Sequence, residues 1–193
     1  MKSILKISLV LFVYLGLQGC ASVSSHLTEV PASQKKVNPE TGKALVIFMR
    51  PSVFGGAIQA TVFDGTEYIA TVSAGTHVAY QAKPGKHTFM VVSEAADFMD
   101  ADLEAGKTYY SLVQARMGFW RARFSLKAVN SDVTTTQIAE WLTETKRMEP
   151  NAEGRRWAVE NQGSIEAKKV EYMQKWLSKP ANDRPMLLRN SGR

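Results

Sequence analysis

Short apolar runs alternate with turn residues through the middle of the chain. Between residues 44 and 130, runs rich in Val, Ile, Phe, Tyr and Thr are separated by Gly, Pro and Asp at intervals of about 8 to 12 residues. This spacing is typical of antiparallel sandwiches and barrels. We therefore predict a mainly β fold, an antiparallel β-sandwich of about seven or eight strands. The predicted strands are 44–50, 58–64, 67–73, 77–82, 86–93, 97–104, 107–117 and 120–129.

Two turns and one strand carry the clearest signals within this β domain. Asp64-Gly65 favours a tight hairpin because both residues tolerate a positive φ angle. Lys83-Pro84-Gly85-Lys86 has Pro and Gly at the positions that a type II turn requires, which predicts a hairpin between the flanking strands. The last strand alternates buried-type and solvated-type side chains, namely Trp120, Ala122, Phe124 and Leu126 against Arg121, Arg123, Ser125 and Lys127.

From Ser131 the apolar period becomes helical, which predicts a C-terminal α-helical extension over residues 131–179. A short helix begins with Ser131 or Asp132 as its cap, and a longer one spans 153–179 with Gly163-Ser164 as a break in its middle. Residues 180–193 are predicted to form a mobile tail. The aromatic positions of the helices indicate core packing, and the alternative is a partner-binding face formed by Trp157, Tyr172 and Trp176.

The first 20 residues look like an export signal. Lys2 and Lys6 precede the uncharged run Ile7 to Leu17, which is shorter than the roughly 20 apolar residues of a membrane-spanning helix. The run ends in Leu17-Gln18-Gly19-Cys20, which resembles the lipobox of bacterial lipoproteins.

The lipobox resemblance implies that residues 1–19 are a signal peptide and that the mature chain begins at Cys20. It also implies a lipidated Cys20 that anchors the protein to a membrane. Since Ala21 follows Cys20 where an Asp would mark the inner membrane, the resemblance favours the periplasmic face of the outer membrane. Residues 20–43 are polar and lack apolar periodicity, which predicts a flexible tether between the lipid and the domain.

Four motifs in a fixed order extend the resemblance into the β domain. They are "ALVIFMRP" at Ala44 to Pro51, "VFDG" at Val62 to Gly65, "KPGKHTF" at Lys83 to Phe89 and "EAGKTYY" at Glu104 to Tyr110. Together with the lipobox, this series resembles a family of bacterial lipoproteins catalogued as domain of unknown function 2846. The resemblance covers residues 44–127 and implies an exported β-rich domain, with no reaction attached to it.

The net charge and one basic stripe indicate which classes of partner the protein is expected to bind. The formal net charge is +6, which falls to +4 when Lys2 and Lys6 are removed, and an exported chain without a nucleic-acid motif is not expected to bind nucleic acid. The stripe Arg121, Arg123 and Lys127 is expected either to pair with acidic neighbours or to contact anionic lipid head groups.

Candidate chemistry is sparse. If residues 83–86 form a hairpin, His77 and His87 lie about 16 Å apart along the ladder, too far to share a metal ion. His26 lies in the predicted tether, and the alternating Asp100, Asp102 and Glu104 are predicted to form a solvated face. Neither a nucleophile elbow nor a phosphate loop is present in the sequence, so we predict no metal, no cofactor and no enzymatic activity.

The sequence thus predicts a lipid-anchored, non-enzymatic binding or assembly module of the cell envelope. Its expected partners are the membrane, through Cys20, and an envelope protein. Two alternatives remain open at this point. One is a small-ligand-binding protein or enzyme with a site in the β domain. The other is a lipid or cell-wall contact protein that uses Arg121, Arg123, Lys127 and the basic C-terminal segment.

Overall fold

The computed structural model describes residues 23–34, 36–116 and 123–193. The fold is mainly β, with eleven strands in two sheets and three α-helices over this part of the chain. The strands are β1 Leu27–Glu29, β2 Ala44–Arg50, β3 Ala60–Asp64, β4 Glu67–Val72, β5 Thr76–Ala82, β6 Gly85–Val92, β7 Ala96–Leu103, β8 Thr108–Arg116, β9 Arg123–Val129, β10 Lys146–Pro150 and β11 Met186–Leu187. The helices are α1 Thr135–Glu144, α2 Ala152–Glu160 and α3 Gln162–Leu177.

The two sheets confirm the predicted sandwich with a helical extension. The first sheet has the order β1-β10-β5-β2-β8-β9, and the second has the order β11-β7-β6-β3-β4. All eight predicted strands are present as β2 to β9. Most neighbours are antiparallel, whereas β2–β8, β5–β10 and β7–β11 are parallel. The chain visits the second sheet twice between β2 and β8, first through β3 and β4 and then through β6 and β7, and the two strands pair in parallel.

The core lies between the inner faces of the sheets. Val46 and Phe48 of β2 meet Val62 of β3 and Phe89 of β6, and all four side chains are fully buried. The Phe48 and Phe89 rings meet edge to face with centroids 5.2 Å apart. Each such side chain contributes about 1.5–3 kcal/mol of transfer free energy, so this layer is the main stabilising element of the fold.

The predicted hairpin between β5 and β6 is wrong. β5 lies in the first sheet beside β2, and β6 lies in the second sheet between β3 and β7. Consequently His77 pairs in register with Met49, and His87 pairs with Ala101. Pro84 has no N–H to give to a ladder, and the chain crosses from one sheet to the other at this position.

The outer faces of the two sheets are covered by different helices. On the first sheet, Ile138 of α1 packs on Leu45, Ile47 and Leu112. On the second sheet, α2 and α3 cover Phe63, Met90, Val92 and Phe98. The covered strands therefore have apolar residues on both faces, as expected for a sheet buried on both sides.

Helix boundaries differ from the prediction by a few residues. The cap of α1 is Thr134, whose side chain accepts a hydrogen bond from the Gln137 N–H, rather than Ser131 or Asp132. The break in the long helical segment is at Asn161, not at Gly163-Ser164. There the Asn161 N–H and side-chain amide both donate to the Trp157 carbonyl, which ends α2.

Three segments contain strands that the sequence did not predict. β1 lies in the segment predicted as a flexible tether and pairs with β10, which itself lies in the predicted helical extension. β11 lies in the predicted mobile tail and pairs with β7. β1 and β11 have three and two residues, too few for a period-2 pattern, and β10 does not alternate buried and exposed positions. Their backbone hydrogen bonds to neighbouring strands are what order them.

Candidate functional site

The strand directions divide the sandwich into two dissimilar ends. At one end lie the loop 51–59, the turns 73–75 and 93–95, the last residue of β8 and the first residue of β9. We call this the loop end. At the opposite end lie the short turns 65–66, 83–84 and 104–107, and we call it the hairpin end.

Arg50 holds the loop end together from inside. The alternation of β2 places Arg50 on the inner face, in line with Val46 and Phe48, and its side chain is only 1% exposed. The guanidinium Nη1 donates to the carbonyls of Ile58 at 2.8 Å and Val72 at 3.1 Å. Its Nη2 donates to the Gly55 carbonyl at 2.7 Å. A single side chain thus fixes two points of the loop 51–59 against β4.

This guanidinium is buried among neutral groups. Its hydrogen-bond partners are backbone carbonyls, and its carbon lies 4.4 Å from the centroid of the Phe124 ring. Burial lowers the pKa of Arg50 to about 10, so the group still carries its charge at neutral pH. A buried charge without a counter-ion opposes folding. The cost of desolvating this charge therefore offsets part of the stability that its three hydrogen bonds contribute.

The loop itself presents apolar side chains to solvent. Val53 is 77% exposed and Phe54 is 53% exposed, although turns within the loop hold their backbone in place through Gly56 N–H to Val53 O and Ile58 N–H to Gly55 O. Gly55 has φ +67°, and a Cβ there would lie 3.1 Å from the Ala115 Cβ. The loop is thus packed against β8 and exposes its apolar residues from a fixed backbone.

Cations lie beside the apolar loop. The register pairs Arg116, at the end of β8, with Arg123, at the start of β9. Arg116 donates from Nε to Ser125 Oγ at 2.7 Å and lies 3.7 Å from Asp97. Arg123 and Lys127 are exposed on the same face of β9, and neither has a carboxylate within 4 Å among the described residues. Arg121 lies outside the described residues.

The N-terminal part of the described chain enters the fold at the loop end. The Ser24 N–H donates to Ser73 Oγ at 2.9 Å, and Ser73 Oγ in turn donates to Gln59 Oε1 at 2.7 Å. His26 Nδ1 lies 3.2 Å from Thr71 Oγ1. Ser24 is therefore held beside the turn 73–75 and, through Ser73, beside Gln59 of the loop 51–59.

A cavity of about 360 Å³ opens between α2, α3 and the second sheet, next to the loop. The hydroxyls of Thr61 and Thr71, 3.1 Å apart, give it a polar floor beneath the His26 and Trp157 rings. Ile58 forms part of its rim. A second cavity of about 620 Å³ lies under α1. There His77 Nδ1 donates to Thr145 Oγ1, because the Thr145 proton is given to the Trp141 carbonyl.

The three aromatic candidates for partner binding pack against the chain's own second sheet. Trp176 is 3% exposed, and its ring centroid lies 5.9 Å from that of Phe98. Tyr172 and Trp157 are half-buried members of the same cluster. Trp176 is consequently covered in this conformation, and of the three only Trp157 borders a cavity near the loop end.

At the hairpin end, polar side chains satisfy one another. Asp64 Oδ2 accepts hydrogen bonds from the Tyr80 hydroxyl at 3.0 Å and from His87 Nδ1 at 2.7 Å. His87 Nε2 lies 2.8 Å from the Lys83 carbonyl. Burial, followed by the Asp64 charge, raises the pKa of the Tyr80 hydroxyl. This network ties the turn after β3 to β5 and β6.

The remaining predicted features are placed as follows. Thr88 donates to Asp100, and Asp102 lies 3.8 Å from Arg189, so the predicted acidic face has partners of its own. Groups of three or more metal-ligating side chains do not occur in the described part of the chain, nor does a helix long and apolar enough to cross a bilayer. Cys20 and the rest of the lipobox lie outside the described residues.

Arg50 is not among the site residues predicted from the sequence. A signal for it exists, since a charged residue stands in line with the inward positions 44, 46 and 48 of an otherwise apolar strand. Comparison with known proteins adds no assignment, because no family model matches the chain and no curated protein matches it. The resemblance to domain of unknown function 2846 stays a prediction.

Proposed function

We propose that this protein is a lipid-anchored, non-enzymatic binding module of the cell envelope, held by Cys20 at the periplasmic face of the outer membrane. The loop end of the sandwich is its binding surface. The observation that carries this proposal is Arg50, a buried cation that fixes a loop whose apolar side chains face outward.

The loop 51–59 differs in its contribution to stability from a loop that has only a structural role. Exposed apolar side chains add nothing to the stability of the isolated domain, and a buried charge without a counter-ion lowers it. An arrangement that combines both is understandable if the exposed residues become buried on binding. Fixing the loop in advance lowers the conformational entropy lost when it binds.

The anchoring part of the proposal is supported by the lipobox at Leu17-Gln18-Gly19-Cys20. Mass spectrometry of the N-terminal peptide from the purified protein tests it directly. We expect a peptide that begins at Cys20 and carries a diacylglycerol. A free thiol at Cys20 in the mature protein would contradict the anchor.

The binding part is tested by site-specific photo-cross-linking in intact cells. A benzoyl-phenylalanine replaces Phe54 at the loop end or, as the matched control, Lys86 at the hairpin end, since both positions are exposed. We expect an adduct from position 54, with lipid or protein, and a much weaker one from position 86. Equal yields, or no adduct at position 54, would contradict a binding surface at the loop end.

A second candidate function is small-ligand binding in the cavity beside the loop. The observation that favours it is the pair of hydroxyls of Thr61 and Thr71 in a cavity that apolar residues such as Val92 and Ile165 also line. Here a Thr71→Val variant, which keeps the shape of the side chain, is expected to lose the ligand while adducts from position 54 persist. Retained ligand binding in that variant would remove this candidate.

A further inference from the structure

The position of Ser24 limits the distance between a lipid on Cys20 and the domain. Cys20 and Ser24 are four residues apart, and four residues span at most about 14 Å. A flexible tether over residues 21–43 would instead have an average reach of about 26 Å. Because Ser24 is bonded to Ser73 at the loop end, a lipid on Cys20 keeps that end close to the bilayer.

The apolar side chains at the loop end suit a bilayer interface. Val53 and Phe54 are exposed on the loop, and Val23 is exposed on the segment that leads towards Cys20. All three lie at the end of the sandwich where the lipid is attached. The hairpin end, in contrast, exposes polar and charged residues such as Glu67 and Lys86.

Two exposed arginines at this end suit an anionic surface. Arg123 is the better placed of the two, because Arg116 lies 3.7 Å from the Asp97 carboxylate and Glu94 of the turn 93–95 is also exposed. Arg116 and Arg123 form a cross-strand pair at the tip of β8 and β9, next to the loop through the contact of Gly55 with Ala115. Lys127 lies four residues further along β9, about 13 Å from Arg123. At physiological ionic strength this exceeds the screening length of about 8 Å, so Lys127 contributes less than the two arginines.

From these observations we infer that the loop end rests on an anionic phospholipid surface, with Val53 and Phe54 in the interface and Arg116 and Arg123 on the head groups. This inference builds on the proposed function, because it uses the lipid on Cys20 and names the partner of the loop end. A lipid anchor and a second apolar contact then hold the domain in one orientation rather than on a free tether.

The experiment uses the full lipidated protein in vesicles of phosphatidylethanolamine and phosphatidylglycerol. Cys20 is the only cysteine of the chain and is occupied by the lipid, so one introduced cysteine gives one labelling site. Phe54→Cys carries an environment-sensitive fluorophore, and Lys86→Cys is the matched control. Nitroxide-labelled phospholipids serve as quenchers. We expect several-fold stronger quenching at position 54 than at position 86.

Two further variants separate insertion from mere proximity. In the Phe54→Cys protein, Val53→Glu is expected to remove most of the quenching, whereas Val170→Glu, an equally exposed valine on α3, is expected to leave it unchanged. Replacing phosphatidylglycerol with phosphatidylcholine, or changing Arg116 and Arg123 to Gln, is expected to weaken the quenching at position 54.

The outcomes distinguish this inference from the proposed function. Equal quenching at positions 54 and 86, or quenching at position 54 that persists with Val53→Glu, overturns the inference. A protein adduct at position 54 in cells without lipid quenching there also overturns it and leaves the binding module intact. Absence of both quenching and adducts at position 54 overturns both proposals.

Discussion

The two ends of the sandwich use polar groups in opposite ways. At the hairpin end, Asp64, Tyr80 and His87 bond to one another, and the turns that they close are short and polar on the outside. At the loop end, the charged side chain of Arg50 is inside the protein, and the apolar side chains of Val53 and Phe54 are outside. Arg50 bonds only to backbone carbonyls there, while Val53 and Phe54 face solvent.

On this account, the hairpin end of the domain has a structural role and the loop end has the proposed binding role. The hairpin end is accounted for by folding alone, because each polar group in its network has a partner within the fold. The loop end is not, since burying a charge without a counter-ion opposes folding and exposed apolar side chains contribute nothing to it. Four sets of variants test this difference between the two ends, from the largest to the smallest expected change in the free energy of unfolding.

Arg50→Met should produce the largest loss of stability. The variant keeps most of the side-chain volume but leaves the carbonyls of Gly55, Ile58 and Val72 without their donor, which we expect to cost about 3 kcal/mol in the free energy of unfolding. Chemical denaturation measures it, with Lys86→Met as an exposed control within about 0.5 kcal/mol of the parent. A loss below about 1 kcal/mol would mean that Arg50 does not hold the loop.

Asp64→Ala at the hairpin end should cost about 2 kcal/mol, because it leaves the Tyr80 hydroxyl and His87 Nδ1 without their shared acceptor. The same denaturation series measures this loss. Photo-cross-linking from position 54 should stay at the parent level in this variant. A loss of cross-linking would show that the two ends are coupled and would contradict independent roles for the hairpin end and the loop end.

Two glycines with nearly the same backbone angle provide a matched pair. Gly55 has φ +67° and Gly65 has φ +62°, so an alanine at either position is strained by about 1 kcal/mol. At Gly55 the new Cβ also meets Ala115 at 3.1 Å, whereas at Gly65 it meets only the end of Lys169 at 3.7 Å. Gly55→Ala should therefore be the more destabilising, by about a further 1 kcal/mol. Equal losses would show that the loop is not packed against β8.

Phe54→Ser should have the smallest effect on stability, within about 0.5 kcal/mol of the parent, because the ring is largely exposed. Contact with the membrane or a partner should nevertheless fall sharply, as read from a cross-linker moved to position 53. Stability and contact that fall together would indicate a structural role for Phe54.

The sequence predicts the architecture better than the site. Strands β2 to β9 are visible because each carries several alternating or continuous apolar residues between turn signals. β1, β10 and β11 are ordered by edge pairing with strands that are distant in sequence, which no local pattern encodes. The same limit applies to the β5–β6 connection, since a Pro-Gly turn does not state whether the next strand stays in the same sheet.

The candidate site needed three-dimensional information for a similar reason. Arg123 and Lys127 are exposed as predicted from the alternation of the last strand, and Phe124 and Leu126 are buried. Ser125, predicted to lie on the solvated face, is buried and accepts a hydrogen bond from Arg116. The role proposed for the loop 51–59 depends on the hydrogen bonds of Arg50, and the position proposed for a lipid on Cys20 depends on the hydrogen bond between Ser24 and Ser73. Each of these contacts joins residues whose relation is set by the folded chain.

The most direct test of the account is the depth of the two ends relative to the bilayer. Nitroxides at Phe54→Cys and Lys86→Cys of the lipidated protein, in membranes isolated from the cells that make it, report exposure to oxygen and to a water-soluble relaxation agent. We expect position 54 at the head-group level and position 86 about 20 Å further out, the length of six residues of β6. Equal depths, or the reverse order, would contradict a loop end that faces the membrane.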